Sequence, residues 1–103
     1  MTAVPEPLAL RAWPVPDRHL LARIAKGDAR AARAFAARIE STLYAIAYGV
    51  LFDQELANAV VNEVMERAQR YAAQLRDTVV PVRSWLARLT RLLAVERARA
   101  RVD

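Results

Sequence analysis

Apolar side chains recur every three or four positions through most of this chain, and this spacing limits the folds available to it. One stripe consists of Ala32, Phe35, Ala36, Ile39, Leu43, Ile46, Ala47 and Val50. A second consists of Leu56, Val60, Val64, Ala68, Tyr71 and Leu75, and a third of Trp85, Leu86, Leu89, Leu92 and Leu93. A shorter stripe of Leu20, Leu21 and Ile24 precedes them. This period is that of an α-helix with one buried face, and no useful strand alternation occurs. The sequence predicts an all-α fold, a compact bundle of three long helices plus a short leading helix.

Polar residues that favour helix ends separate these stripes. Asp17, Asp28 and Asp53 each stand where a side-chain oxygen can cap a helix N-terminus. Gly27 can end the leading helix in a left-handed conformation. Residues 76–81, with the sequence RDTVVP, combine β-branched residues with a proline and therefore predict a break before the last helix.

The chain has the length of one domain. It has 103 residues, and four of its five prolines fall in residues 1–16. We expect residues 1–16 to form a flexible, proline-rich N-terminal arm and residues 17–103 to form the helical domain. The first residues do not resemble a signal peptide, and no apolar run is long enough to cross a bilayer. These features predict a cytoplasmic protein that does not bind membranes.

Few residue types that support catalysis are present. The chain has no cysteine, two glycines and one histidine. It therefore lacks a thiol nucleophile, a disulfide framework and a glycine-rich phosphate loop. His19 is interpreted as a surface or capping residue, and the Glu63 and Glu66 pair lacks the histidine that a carboxylate metal site in a bundle requires. We expect no enzyme activity, no metal, no cofactor and no small-molecule substrate.

Charge is divided by sign along the chain, whose formal net charge is +5. Residues 11–38 hold seven basic and two acidic side chains. Residues 39–67 hold five acidic side chains and one arginine, and residues 82–103 hold six arginines and two acidic side chains. A basic, acidic, basic order predicts surfaces for two different partners, one of them a nucleic acid.

The last helix is the best nucleic-acid candidate on these grounds. Arg83, Arg88 and Arg91 can reach phosphates along a nucleic-acid backbone. Thr78 lies in the preceding break, where its hydroxyl and the neighbouring amides can contact a base or a phosphate. Trp85 is close to that break, as the aromatic rings of single-strand binders are to their cationic grooves, but its place on the leucine stripe favours a core position.

Three segments of the chain together resemble a known family. They are LLARIAKGDARAARAF from Leu20 to Phe35, LANAVVNEVMERAQ over residues 56–69, and VRSWLARLTRLLAVERARAR over residues 82–101. In order and spacing they are similar to region 2 of bacterial RNA polymerase sigma factors, and the extracytoplasmic-function group is the closest in pattern. The resemblance implies a domain that binds core RNA polymerase and recognises and melts the promoter −10 element during transcription initiation.

The resemblance also assigns partners to particular residues. It implies that the clamp helices of the largest polymerase subunit contact the middle helix through Asn58, Asn62, Glu63, Glu66 and Arg67. It implies that the non-template strand of the −10 element contacts Arg76, Asp77, Thr78, Arg83, Arg88 and Arg91. Melting of this kind moves a base out of the stack into a protein pocket.

Several positions differ from the family pattern and leave an alternative open. Ala59 replaces an aspartate, Asn62 a glutamine, Gln69 a tryptophan and Leu92 an asparagine. These changes favour a degenerate sigma-like interaction module, which would keep the bundle and bind a regulator such as an anti-sigma protein without melting DNA.

Overall fold

The computed structural model describes residues 15–102, and within them the chain forms five helices and no strand. These are α1 (Asp17–Ile24), α2 (Ala29–Leu51), α3 (Gln54–Arg70), α4 (Ala72–Asp77) and α5 (Val82–Val102). The predicted all-α bundle is confirmed, because three long helices and a short leading one are present. The predicted arm over residues 1–16 lies outside the described part of the chain except for its last two residues.

The core lies between the three long helices, α2, α3 and α5, each of which packs against the other two. Its largest fully buried side chains include Phe35 and Leu43 from α2, Val60 and Val64 from α3, and Leu86 from α5. The apolar faces predicted from the three- and four-residue spacing therefore meet in one cluster. The short helices α1 and α4 pack against each other, and α1 also packs against α2.

Two of the three predicted caps form as expected. Asp28 accepts hydrogen bonds from the amides of Arg30 and Ala31 at 2.9 and 3.1 Å. Asp53 accepts one from the amide of Leu56 at 2.9 Å, and Gly27 has the left-handed φ of 88°. These contacts are local, so the sequence is sufficient to predict them.

The prediction that Asp17 caps the leading helix is wrong. The N-cap residue is Pro16, and Asp17 makes no capping hydrogen bond. Its carboxylate instead accepts hydrogen bonds from Arg83 at the start of α5 and from Arg38 in α2. The two arginines hold the carboxylate away from the amides of its own helix.

The third helix ends earlier than its apolar stripe predicts. The stripe extends from Leu56 to Leu75, but α3 ends at Arg70, and a new helix starts at Ala72. The interruption at Tyr71 changes the direction of the chain so that Ala72 and Leu75 are buried while α4 packs on α1. Tyr71 itself, predicted to be in the core, is 45% exposed.

The prediction that Trp85 lies in the core is also wrong. Its side chain is 36% exposed, and Leu92 on the same stripe is 55% exposed. The covered face of α5 is centred on Leu86, Leu93 and Ala94 instead. The five apolar residues of this stripe cover a wider angle of the helix than α2 and α3 can bury.

Candidate nucleic-acid interface

An apolar groove opens where the end of α3, the helix α4 and the start of α5 meet. It has a volume of about 420 Å³. Its lining side chains are Arg67, Tyr71, Gln74, Leu75, Thr78, Trp85 and Leu89. We call it the Tyr71–Trp85 groove, after the two partly exposed aromatic rings that line it. Its volume lies within the range of about 300–1,000 Å³ that is common for ligand sites.

The two irregular points of the chain produce this groove. The break at Tyr71 turns the ring out of the core, as described above. The segment between α4 and α5 then places Thr78 at the edge of the groove, where its hydroxyl accepts a hydrogen bond from the amide of Val80 at 3.3 Å. Pro81 precedes α5, and its carbonyl accepts the first helical hydrogen bond from the amide of Trp85 at 3.1 Å. Trp85 therefore projects from the first turn of α5.

An ion-pair cluster fixes the start of α5 to the rest of the domain. The Asp17 carboxylate accepts hydrogen bonds from Arg83 Nε at 2.7 Å, from Arg83 Nη2 at 3.1 Å and from Arg38 Nη1 at 3.1 Å. Arg38 also donates to the carbonyl of Val15. The hydrogen bonds from Arg83 lower the pKa of Asp17, and those from Arg38 add to this effect against the opposing effect of burial. We call these three side chains the Asp17 clamp.

Thr78 lines the Tyr71–Trp85 groove, and the other residues predicted to bind DNA fall into two groups. Arg76 and Asp77 form an exposed pair with each other at 2.8 Å, and Arg83 belongs to the Asp17 clamp. Arg88 and Arg91 are exposed on α5, and neither forms an ion pair with any residue between 15 and 102. The cationic surface that remains for a phosphate backbone is therefore narrower than the sequence suggests.

The residues predicted to bind polymerase do not share one surface. Asn58, Asn62 and Glu66 are exposed and follow one another at four-residue steps along α3. Glu63 and Arg67 are partly buried on a different side of the helix.

Glu63 binds two arginines. It accepts a hydrogen bond from Arg67 Nη2 at 2.8 Å and another from Arg97 Nη2 of α5, also at 2.8 Å. Glu66 pairs with Arg70 at 3.2 Å. Internal pairing thus neutralises much of the negative charge that the sequence places on the middle helix.

The sequence pattern assigns neither Tyr71 nor Gln74 to a site, and the family resemblance assigns Arg67 to the polymerase contact. All three line the Tyr71–Trp85 groove. A signal for the groove does exist in the sequence, since aromatic residues stand seven residues before and seven after Thr78. Tyr71 and Trp85 both lie on apolar stripes, so the spacing predicts a core position for them and not a place in a surface groove.

Two further findings concern the part of the chain that the structure describes. Between residues 15 and 102, no group of three or more histidine, aspartate and glutamate side chains is placed to hold a metal ion. No helix in that range combines the length and apolar character that a membrane span requires.

No known protein family matches the sequence, and no curated protein or solved structure is significantly similar to it.

Proposed function

We propose that this chain is a sigma region 2-like domain that binds single-stranded promoter DNA and core RNA polymerase. The observation that carries the proposal is the Tyr71–Trp85 groove, where two exposed rings lie beside the break between α4 and α5. Unpaired bases stack on aromatic rings, and a protein without sequence-specific donors can hold them in this way. Arg67 lies at the same groove, and because Glu63 is shared between Arg67 and Arg97, the three side chains together keep one net positive charge beside it.

The arginines of α5 support a phosphate-binding role. Arg88 follows Trp85 by three residues and therefore lies on the same side of the helix, and Arg91 is one turn further from the break. Both are exposed and have no ion-pair partner among residues 15–102. A strand whose base stacks on Trp85 would run its backbone past these guanidinium groups, which releases counterions and favours binding.

The exposed edge of α3 is the proposed polymerase contact. Asn58, Asn62 and Glu66 form a continuous row there, and their amide and carboxylate groups suit a basic protein surface. Glu63 and Arg67 act in this proposal through their position between α3 and α5, where Glu63 holds Arg67 near the groove. A role in transcription initiation places the protein in the cytoplasm.

A binding experiment tests the DNA part of the proposal. A fluorescein-labelled single-stranded 20-mer of mixed sequence and its duplex are titrated with the domain at two salt concentrations. We expect tighter, salt-dependent binding to the single strand than to the duplex. Trp85→Ala should weaken the affinity for the single strand by about 5- to 150-fold, because stacking of one base on an aromatic ring contributes about 1–3 kcal/mol. Val102→Ala is the matched control, because it removes another exposed apolar side chain of α5, at the end of the helix far from the groove. Equal binding to duplex and single strand, or equal losses in both variants, would contradict the proposal.

A pull-down with core polymerase tests the other part. We expect retention of the domain on immobilised core enzyme, and loss of retention when Asn58 and Asn62 are both replaced by Lys, because two positive charges would then face a basic surface. Both positions are exposed, and Lys favours helix, so the fold should be kept. Retention that is unchanged by this double substitution would place the contact elsewhere.

One observation favours the alternative of an interaction module without melting activity. Three of the six predicted DNA-binding residues are engaged in ion pairs, Arg76 with Asp77 and Arg83 with Asp17. A domain of this kind would fold normally and bind neither core polymerase nor single-stranded DNA. The two experiments above therefore distinguish the two functions.

A further inference from the structure

The Asp17 clamp engages an arginine that lies at the edge of the candidate nucleic-acid interface. Arg83 donates two hydrogen bonds to the Asp17 carboxylate, at 2.7 and 3.1 Å. The side chain of Arg83 is nevertheless 54% exposed, whereas that of Asp17 is only 18% exposed. The guanidinium group is therefore within reach of a ligand in solution, while the carboxylate that holds it is mostly covered.

Arg83 stands beside the groove in which we propose that a base stacks. It lines a second groove, of about 390 Å³, between α1 and the segment that joins α4 to α5. Leu75 and Thr78 line both this groove and the Tyr71–Trp85 groove, so the two grooves are adjacent. A strand that leaves the Tyr71–Trp85 groove on this side carries its phosphates past Arg83.

The second groove has two more arginines among its lining residues, Arg18 and Arg76. Arg76 pairs with Asp77, but Arg18 is exposed and has no ion-pair partner among residues 15–102. Without the charge of Asp17, the lining of this groove would contain three arginines and no carboxylate. Such a surface attracts any polyanion, whether its bases are paired or not.

Asp17 competes effectively with a phosphate for Arg83. The two side chains belong to one folded domain, so their pairing costs no translational freedom. Asp17 is also held in place by a hydrogen bond from Arg38 at 3.1 Å. A phosphate of a free strand meets Arg83 in solvent, where a single ion pair is weak and is screened by salt. In the wild-type domain, Arg83 therefore stays with Asp17.

We propose that Asp17 is a specificity-determining residue of the nucleic-acid interface, because by holding Arg83 it makes binding depend on a stacked base and not on backbone charge. Stacking in the Tyr71–Trp85 groove requires an unpaired base, whereas a phosphate contact is open to single strand and duplex alike. The inference rests on the proposed function, since it requires the strand to bind beside Trp85. It adds that a carboxylate of α1 contributes to the preference for the single strand.

Asp17→Asn tests the inference in a fluorescence titration with single strand and duplex at about 50 and about 200 mM salt. We expect the variant to bind both nucleic acids more tightly than wild type, by about threefold or more at the lower salt concentration. The slope of log affinity against log salt should steepen by about 0.7 for the single strand and about 0.9 for the duplex, the values for one added phosphate contact. Because the duplex gains more, the preference for the single strand should fall.

Two further variants separate the release of Arg83 from a general change in charge. Glu40→Gln is the matched control, because Glu40 is exposed, lines neither groove and has no ion-pair partner among residues 15–102. Arg83→Gln is measured alone and together with Asp17→Asn. It should weaken binding more in the Asp17→Asn background, where Arg83 is free to contact a phosphate. Circular dichroism at the assay temperature checks the helix content of each variant.

The outcomes distinguish this inference from the proposed function. Equal gains for Asp17→Asn and Glu40→Gln, an unchanged salt slope, or an equal effect of Arg83→Gln in both backgrounds would overturn the inference while single-strand binding by the wild type stands. If the wild type does not bind the single strand at all, the proposed function is contradicted and the inference falls with it.

Discussion

Replacing Asp17 by Asn tests how far the Asp17 clamp stabilises the domain. The carboxylate is only 18% exposed and accepts three hydrogen bonds from two guanidinium groups. A hydrogen bond to a charged group contributes about 1.5–3 kcal/mol when it is buried. Arg83 is 54% exposed, which reduces its share through solvent screening. Because the amide of Asn retains one acceptor, we expect a net loss of about 2 kcal/mol, or about 8–16 °C in melting temperature for a domain of this size.

The same substitution should change how stability depends on pH. Hydrogen bonding from Arg83, with support from Arg38, lowers the pKa of Asp17 below its ordinary value of 3.8. The folded state therefore holds the ionised form at a pH where the unfolded chain already binds a proton. Its contribution is complete above about pH 5 and is lost as the pH falls through the lowered pKa of the folded state. The difference between wild type and Asp17→Asn should be full at pH 7 and should shrink towards pH 2.

Urea unfolding followed by circular dichroism at pH 7 and at pH 2.5 measures both effects. Asp77→Asn is the matched control, because the pair of Asp77 with Arg76 is exposed and should give no measurable change in midpoint. A double-mutant cycle of Asp17→Asn with Arg83→Gln isolates the contact between α1 and α5. Additive losses in that cycle, or an Asp17→Asn effect of equal size at both pH values, would refute the reasoning.

Three further predictions concern the backbone, the core and the DNA surface. Gly27→Ala should destabilise the domain by about 1–2 kcal/mol because Gly27 has a φ of 88°, whereas Gly49→Ala, in open space within α2, should stabilise it by about 0.5–1 kcal/mol. Thermal unfolding of the two variants checks this, and a shift of the same sign in both would be inconsistent with it. Leu43→Ala removes a fully buried side chain and should cost about 2–5 kcal/mol in urea unfolding, and a loss below 1 kcal/mol would show that α2 is not packed as described. Replacing Arg88 and Arg91 by Ala should reduce the slope of log affinity against log salt for single-stranded DNA by about 0.7 for each lost phosphate contact, and an unchanged slope would exclude both residues from the interface.

The sequence predicts those parts of the fold that depend on neighbours in the chain. Asp28 and Asp53 cap the helices that follow them, and Gly27 ends α1, because each contact spans no more than a few residues. The three long apolar faces are equally local patterns. They indicate where a helix forms and which side of it is buried.

Contacts between distant segments are the ones that the sequence does not reveal. Aspartate is a common helix-capping residue, so the sequence predicts a local role for Asp17. Its actual partner, Arg83, lies 66 residues away, and the two meet only because the domain folds with the start of α1 near the start of α5. The end of α3 has no glycine or proline at Tyr71, and the chain changes direction there to bury α4 against α1. Such tertiary contacts override the local preference to continue a helix.

The candidate site was predicted only in part for the same reason. Arg88 and Arg91 were identified from charge alone, and they are exposed as expected. The apolar spacing predicts that Trp85 lies in the core. Spacing shows which side of a helix faces the core, but it does not show how much of that side the neighbouring helices cover. Apolar spacing also gives no signal for Thr90, a polar residue that is fully buried because its hydroxyl donates a hydrogen bond to the carbonyl of Leu86 at 2.7 Å.

The indole proton of Trp85 gives the most direct measurement of the central claim, that an unpaired base stacks in the Tyr71–Trp85 groove. The chain has two tryptophans, so a Trp13→Phe variant leaves a single indole signal in a proton–nitrogen correlation spectrum. Addition of a single-stranded 20-mer should shift and broaden that signal in a saturable manner, and the duplex should have little effect at the same concentration. A Trp85 signal that stays in place while the domain binds the single strand would contradict the account.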